Sequence, residues 1–117
     1  MGQLTTHVLD TCSGTGAAGV VVEVRRLEPA SPELLNRLIT DAAGRCGTPL
    51  VQGGAFSRGL YELSFHIGDY FRGKGVALPD PAFVDVAVVR FGVSQPEQHY
   101  HVPLLASPWS YSVYRGT

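Results

Sequence analysis

GVVVEVRRL, residues 19–27, alternates with a period of two: Val20, Val22 and Val24 share one face, and Val21, Glu23 and Arg25 share the other. Successive side chains of an extended chain point to opposite sides, so this spacing suits a strand with one buried face. YELSF, residues 61–65, repeats it, with Tyr61, Leu63 and Phe65 opposed to Glu62 and Ser64. FVDVAVVRFGV, residues 83–93, predicts a longer strand rich in β-branched residues, with Val84, Val86 and Val88 on one face. LTTHVLD (4–10), HYHVPLL (99–105) and YSVY (111–114) add shorter strands, divided by Gly, Pro, Asp and Ser clusters that read as turns.

Helix is scarce. In SPELLNRLI, residues 31–39, Ser31 could cap a helix that starts on Pro32, with Leu34, Leu35 and Leu38 fairly spaced, but a strand entered through a turn fits equally. HIGDYFRGKG, residues 66–75, predicts one short helical turn closed by Gly73 and Gly75. Many strands with almost no βα alternation predict an all-β, antiparallel β-sandwich, and residues 1–117 are expected to form a single domain.

Composition narrows the function classes. Hydrophobic residues make up 44% and charged residues 16% of the chain, which argues against disorder. A net charge of −1 without Lys/Arg clusters gives no electrostatic case for nucleic acid or an anionic membrane as partner. The first residues, MGQLTTHVLDT, lack a basic segment followed by an apolar run, and no stretch approaches the ~20 apolar residues of a membrane span. Cys12 and Cys46, far apart and outside any CxxC, are expected to be reduced thiols in a cytoplasmic protein.

Few side chains invite chemistry. His99 and His101 stand at i and i+2, so on a strand both imidazoles face one side; this is a metal-ligand spacing, and equally the solvent face of a half-buried strand. His7 lies in LTTHVLD opposite Thr6 and Val8, sharing its outward face with Leu9, a mixture that suits a surface covered by another subunit. Arg45 sits in a Gly-rich turn, DAAGRCGTPL, where a guanidinium could grip a planar imide or a carboxylate through two parallel hydrogen bonds, or simply be solvated. A P-loop, HExxH and a GxSxG elbow are all missing.

LTTHVLDT, GRCGTPL (44–50) and the terminal HYHVPLLASPWSYSVYRGT (99–117) together resemble the transthyretin-related proteins, over essentially the whole chain. The Y-R-G-[ST] ending points to the hydrolase branch of that family, as do His7, Arg45 and His101, where the hormone-carrying branch has a lysine, an acidic residue and a threonine. The resemblance implies two four-stranded sheets with one short helix. It also implies a homotetramer, a dimer of dimers, with active sites in the channel between dimers. The implied reaction is hydrolytic opening of the lactam-type ring of 5-hydroxyisourate, a small-molecule substrate, to 2-oxo-4-hydroxy-4-carboxy-5-ureidoimidazoline in urate catabolism. His7, Arg45 and His101 would be catalytic, and Tyr114, Arg115 and Thr117 would complete the substrate pocket, with no metal or other cofactor and His99 in a supporting role at most. The competing expectation is a transthyretin-like carrier with an aromatic ligand in the tetramer channel. Two departures stand out: CSGTGAAG (12–19) lacks the first-loop proline common in the family, and Thr117 replaces the more frequent serine while keeping its hydroxyl.

Overall fold

A computed structural model of the chain describes residues 2–28 and 31–117. Within them run the strands β1 (Gln3–Asp10), β2 (Thr15–Gly16), β3 (Val21–Arg26), β4 (Glu33–Ile39), β5 (Val51–Gln52) and β6 (Gly59–Phe65), the helix α1 (Ile67–Gly73), and then β7 (Ala87–Val93), β8 (His99–Ala106) and β9 (Tyr111–Val113). One sheet has the order β2-β1-β8-β9, with β5 also paired to β1; the other has the order β4-β3-β6-β7. The predicted alternation sets the interior. Val20, Val22 and Val24 are fully buried, packed with Leu4, Val8, Tyr61, Leu63, Phe65, Val102 and Leu104 in one core between the sheets. Each such side chain contributes ~1.5–3 kcal/mol by leaving water.

The sandwich differs from the expectation in two details. One sheet carries a fifth strand, the two-residue β5, and β1 pairs with β8 in parallel, from Gln3↔His99 through Asp10↔Ala106. Alternation reports which face a residue takes but is blind to strand direction. A parallel pair needs a long crossover, and here the whole second sheet lies between the two strands.

The phase assigned to residues 83–93 is corrected. Ala87, Val89 and Val93 turn inward while Val88 is exposed, and Val84 is buried from outside the strand. The alternation is broken because the Gly68 N–H donates to the Asp85 carbonyl at 2.9 Å, holding the chain against the start of α1. A Cβ on Gly68 would meet the Asp85 backbone at 3.2 Å, so this close approach uses the missing side chain. The strand restarts at Ala87.

SPELLNRLI is resolved as a strand. A bulge between Val24 and Arg25 pairs them with Asn36 and Leu34, leaving Leu35 as the extra residue. Leu35 and Leu38, three apart, therefore both pack against the core, which is why their spacing imitates a helix. In α1 the closing residue is Gly75 at φ 86°, not Gly73: its N–H donates to Arg72 O and that of Val76 to Phe71 O, the paired bonds of a left-handed cap. Among the described residues no helix is long and apolar enough to cross a membrane.

At the end of β1, Asp10 is buried and its carboxylate accepts from the Tyr70 hydroxyl at 2.8 Å and from the backbone N–H groups of Cys12 and Ser13. Burial pushes its pKa up, but these donors outweigh burial and hold the carboxyl below its ordinary value. Burial and the same bond push Tyr70 up to about 12. A carboxyl with a depressed folded pKa stabilises above the unfolded value of ~3.9, and that contribution is lost as pH falls through the folded value. Tyr70→Phe is therefore expected to cost ~1.5–3 kcal/mol in urea unfolding at pH 7, with the gap to wild type narrowing below pH ~4. A gap unchanged by acid would contradict the pairing.

Candidate functional site

The parallel register places Thr5 opposite His101 and His7 opposite Pro103, so odd-numbered residues of β1 and β8 build one outward face. A turn covers one side of it. The Asp41 carboxylate accepts the N–H groups of Ala43 (2.9 Å) and Arg45 (3.0 Å), and the Asp41 N–H donates to Arg45 O at 2.7 Å. Gly44, at φ 81°, receives the Val8 N–H on its carbonyl at 2.8 Å, and Arg45 bridges to His7. The backbones touch: a Cβ on Gly44 would lie 2.2 Å from Val8 O, and one on Gly16 would lie 2.1 Å from Ala43 O. His7 Nε2 is 2.8 Å from Ala43 O, which can only accept, so that nitrogen carries the hydrogen.

The C-terminal segment covers the other side. The Gly116 N–H donates to His101 O at 2.7 Å, extending the β8–β9 register past Val113. A Cβ on Gly116 would approach the His101 ring to 2.7 Å and Pro103 to 3.3 Å, so only glycine lets this segment lie flat over the imidazole.

Between these walls is a cleft of about 390 Å³ lined by Thr5, Thr6, Arg45, Cys46, His99, His101 and Thr117. Arg45, His101 and Thr117 thus converge, and His7 flanks them, fastened to the turn that carries Arg45. Tyr114 and Arg115 do not join them. They line a neighbouring cleft of about 270 Å³ beside β7 and Val113. Arg115 adjoins Gly116 and points to the other side, its guanidinium 4.0 Å from the Tyr100 ring centroid and donating to Gln98 Oε1 at 3.0 Å. It braces β8 through a cation–π contact.

Thr5 is the site residue that sequence reasoning missed. Its Oγ1 lies 2.7 Å from His99 Nε2 and 2.8 Å from His101 Nδ1. Its i−2 spacing from His7 placed it on the outward face, but its partners became visible only with the parallel pairing. Among the described residues no three His, Cys, Asp or Glu side chains gather as a metal-binding group.

His101 is half-buried, and its pKa lies below the ordinary imidazole value, first through burial and then through the positive charge of Arg45, with His99 and His7 adding to it. At neutral pH the ring is uncharged, with Nδ1 turned to Thr5 and Nε2 left for the cleft. Such a group can remove a proton from water, and the adjacent guanidinium can hold a developing oxyanion. Burial also raises the Cys46 thiol pKa, aided by the Asp41 charge, so Cys46 lines the cleft as an un-ionised thiol.

The model of the HIUase/Transthyretin family matches residues 4–116. A 5-hydroxyisourate hydrolase of Pseudomonas aeruginosa is 50% identical over 117 residues, which are 100% of this chain and 93% of that one. Among solved structures, that of an (S)-allantoin synthase superposes with a TM-score of 0.94 at 44% identity over 99% of this chain, which spans 44% of the length of that protein. A transthyretin of Sparus aurata superposes with a TM-score of 0.87 at 29% identity, over 97% of this chain and 96% of that one.

NMR titration of the histidines is expected to place His101 below the usual ~6.5, and Arg45→Gln to move it upward by removing a positive neighbour. An unmoved midpoint would mean that the guanidinium does not act on the ring.

Proposed function

The chain belongs to the HIUase/transthyretin family, and from that membership we propose that it catalyses the hydrolytic opening of 5-hydroxyisourate to 2-oxo-4-hydroxy-4-carboxy-5-ureidoimidazoline in urate catabolism. Residues 1–117 act as one hydrolase domain. The reading rests on the convergence of an uncharged imidazole, a guanidinium and a hydroxyl, from His101, Arg45 and Thr117, in one cleft.

His7 and His101 form the proton-handling pair, the first with Nε2–H committed to Ala43 O and the second with Nε2 toward the cleft. A water molecule attacks the ring carbonyl as its proton passes to an imidazole, and the leaving ring nitrogen is protonated in turn. Arg45 orients the flat, polar substrate and stabilises the oxyanion, an electrostatic role worth ~3 kcal/mol per donor. The Thr117 hydroxyl closes the cleft. Tyr114 and Arg115 shape the site from behind, Arg115 by bracing Tyr100 on β8.

The protein works as a homotetramer, a dimer of dimers. Supporting this, β7 and β9 are edge strands, and Val88, Tyr111, Val113 and Tyr114 on or beside them are exposed apolar residues that a second copy would cover. A second dimer over the β1–β8 face would enclose the cleft as a channel wall. The compartment of this reading is the cytoplasm, and the free thiols Cys12 and Cys46 support it. The transthyretin-like fold also suits a carrier, but a cleft lined by imidazoles and a guanidinium is a poor slot for an apolar aromatic ligand.

The decay of freshly generated 5-hydroxyisourate, followed by ultraviolet absorbance beside the uncatalysed background, tests the reading. Wild type is expected to accelerate it. His7→Asn, Arg45→Glu and His101→Thr should each remove ~10²-fold or more of the turnover with unchanged far-ultraviolet circular dichroism. A tetrameric wild type that leaves the background rate unchanged would overturn the reading in favour of the carrier, and a variant near wild-type rate would remove that residue from the mechanism.

A further inference from the structure

We propose that Thr5 is a positioning residue that joins His99 to His101 in a proton relay, carrying the proton that His101 takes from water to His99 on the exposed side of the cleft. The proposal rests on the hydrolytic reading above and names a residue which that reading does not use.

The geometry is restrictive. Thr5 Oγ1 lies 2.7 Å from His99 Nε2 and 2.8 Å from His101 Nδ1, both good hydrogen-bond distances. A hydroxyl has one hydrogen, so it donates to one imidazole and accepts from the other. The two rings are thereby held in complementary tautomers. In one arrangement His101 Nδ1–H donates to Thr5, and Thr5 donates to His99 Nε2, which leaves the lone pair of His101 Nε2 facing the cleft. In the other, His99 Nε2–H donates to Thr5, Thr5 donates to His101 Nδ1, and His101 carries its hydrogen on Nε2.

Hydrolysis needs both arrangements in turn. As the water oxygen bonds to the ring carbonyl, its proton passes to His101 Nε2. The Nδ1 proton of that ring moves to Thr5 Oγ1, and the Thr5 proton moves to His99 Nε2; His99, now imidazolium, releases its Nδ1 proton to solvent. His101 is then uncharged with hydrogen on Nε2, the form that can protonate the leaving ring nitrogen as the C–N bond breaks. The reverse transfers, with one proton taken from solvent at His99 Nδ1, restore the first arrangement. No net proton is gained or lost over the cycle. The direction follows from exposure: His99 is open to solvent, whereas burial and then the Arg45 charge disfavour an imidazolium at His101.

Thr5→Val keeps the side-chain shape and suits a strand, so the fold should survive, which a melting curve checks. Thr5→Val and His99→Gln are each expected to lower kcat by ~10-fold or more with little change in KM, and Thr5→Ser to recover most of the loss. A curved proton inventory in mixed H₂O/D₂O should become linear in Thr5→Val. Nitrogen-15 NMR of the histidines, which needs no turnover, should find His99 Nε2 and His101 Nδ1 protonated in opposition, and the opposition lost in Thr5→Val. Wild-type kcat in Thr5→Val or His99→Gln, no rescue by Thr5→Ser, or tautomers indifferent to Thr5 would each overturn the relay. A wild type inert toward 5-hydroxyisourate would overturn the hydrolase reading instead, with the tautomer coupling still read by NMR.

Discussion

β1 and β8 lie side by side and parallel, with Thr5 opposite His101 and His7 opposite Pro103. Two chain segments almost the full length of the protein apart are thereby brought into one register, and each contributes alternate residues to the same outward face. The inward halves of these strands, Leu4 and Val8 against Val102 and Leu104, are fully or almost fully buried. A one-residue slip would carry the whole apolar set out of the core and the imidazoles into it, so the packing that stabilises the sandwich also fixes the register of the site.

Close backbone approach is the second constraint. Gly16 and Gly44 let the turn that presents Arg45 lie against β1, and Gly116 lets the terminal segment lie over His101. At each of these positions a methyl group would enter the van der Waals space of a backbone carbonyl or of the imidazole itself. The glycines set the cleft walls at the distance where a guanidinium, a hydroxyl and two imidazoles share one small volume. Asp41 closes the turn through its carboxylate and backbone, so the position of Arg45 is held by hydrogen bonds rather than by apolar packing.

The sequence is legible wherever an alternating face is continuous. Val20, Val22 and Val24, and Tyr61, Leu63 and Phe65, take the places that their spacing predicts, and so do Thr6 and Val8 against His7. It misleads where backbone geometry interrupts the period. The clamp of Asp85 on Gly68 resets the phase before Val88, and the bulge at Leu35 makes a strand look helical. Strand direction is not encoded in alternation at all, so the bonds of Thr5 to two histidines across the parallel pair could not be read from its spacing. The grouping of Arg45, His101 and Thr117 came from family resemblance rather than from spacing. That resemblance, which groups whole motifs, also drew in Tyr114 and Arg115, which line the neighbouring cleft.

The proposed chemistry has one location, the outward face of the β1–β8 pair. The most direct measurement is a crystal structure of the protein with a planar, slowly hydrolysed purine-dione analogue of the substrate. The ring is predicted to lie in the cleft of Thr5, Arg45, His101 and Thr117, with a carbonyl against the Arg45 guanidinium and His101 Nε2 within about 3 Å of the reacting position. A ring seated instead beside Phe91, Tyr114 and Arg115 would contradict the account.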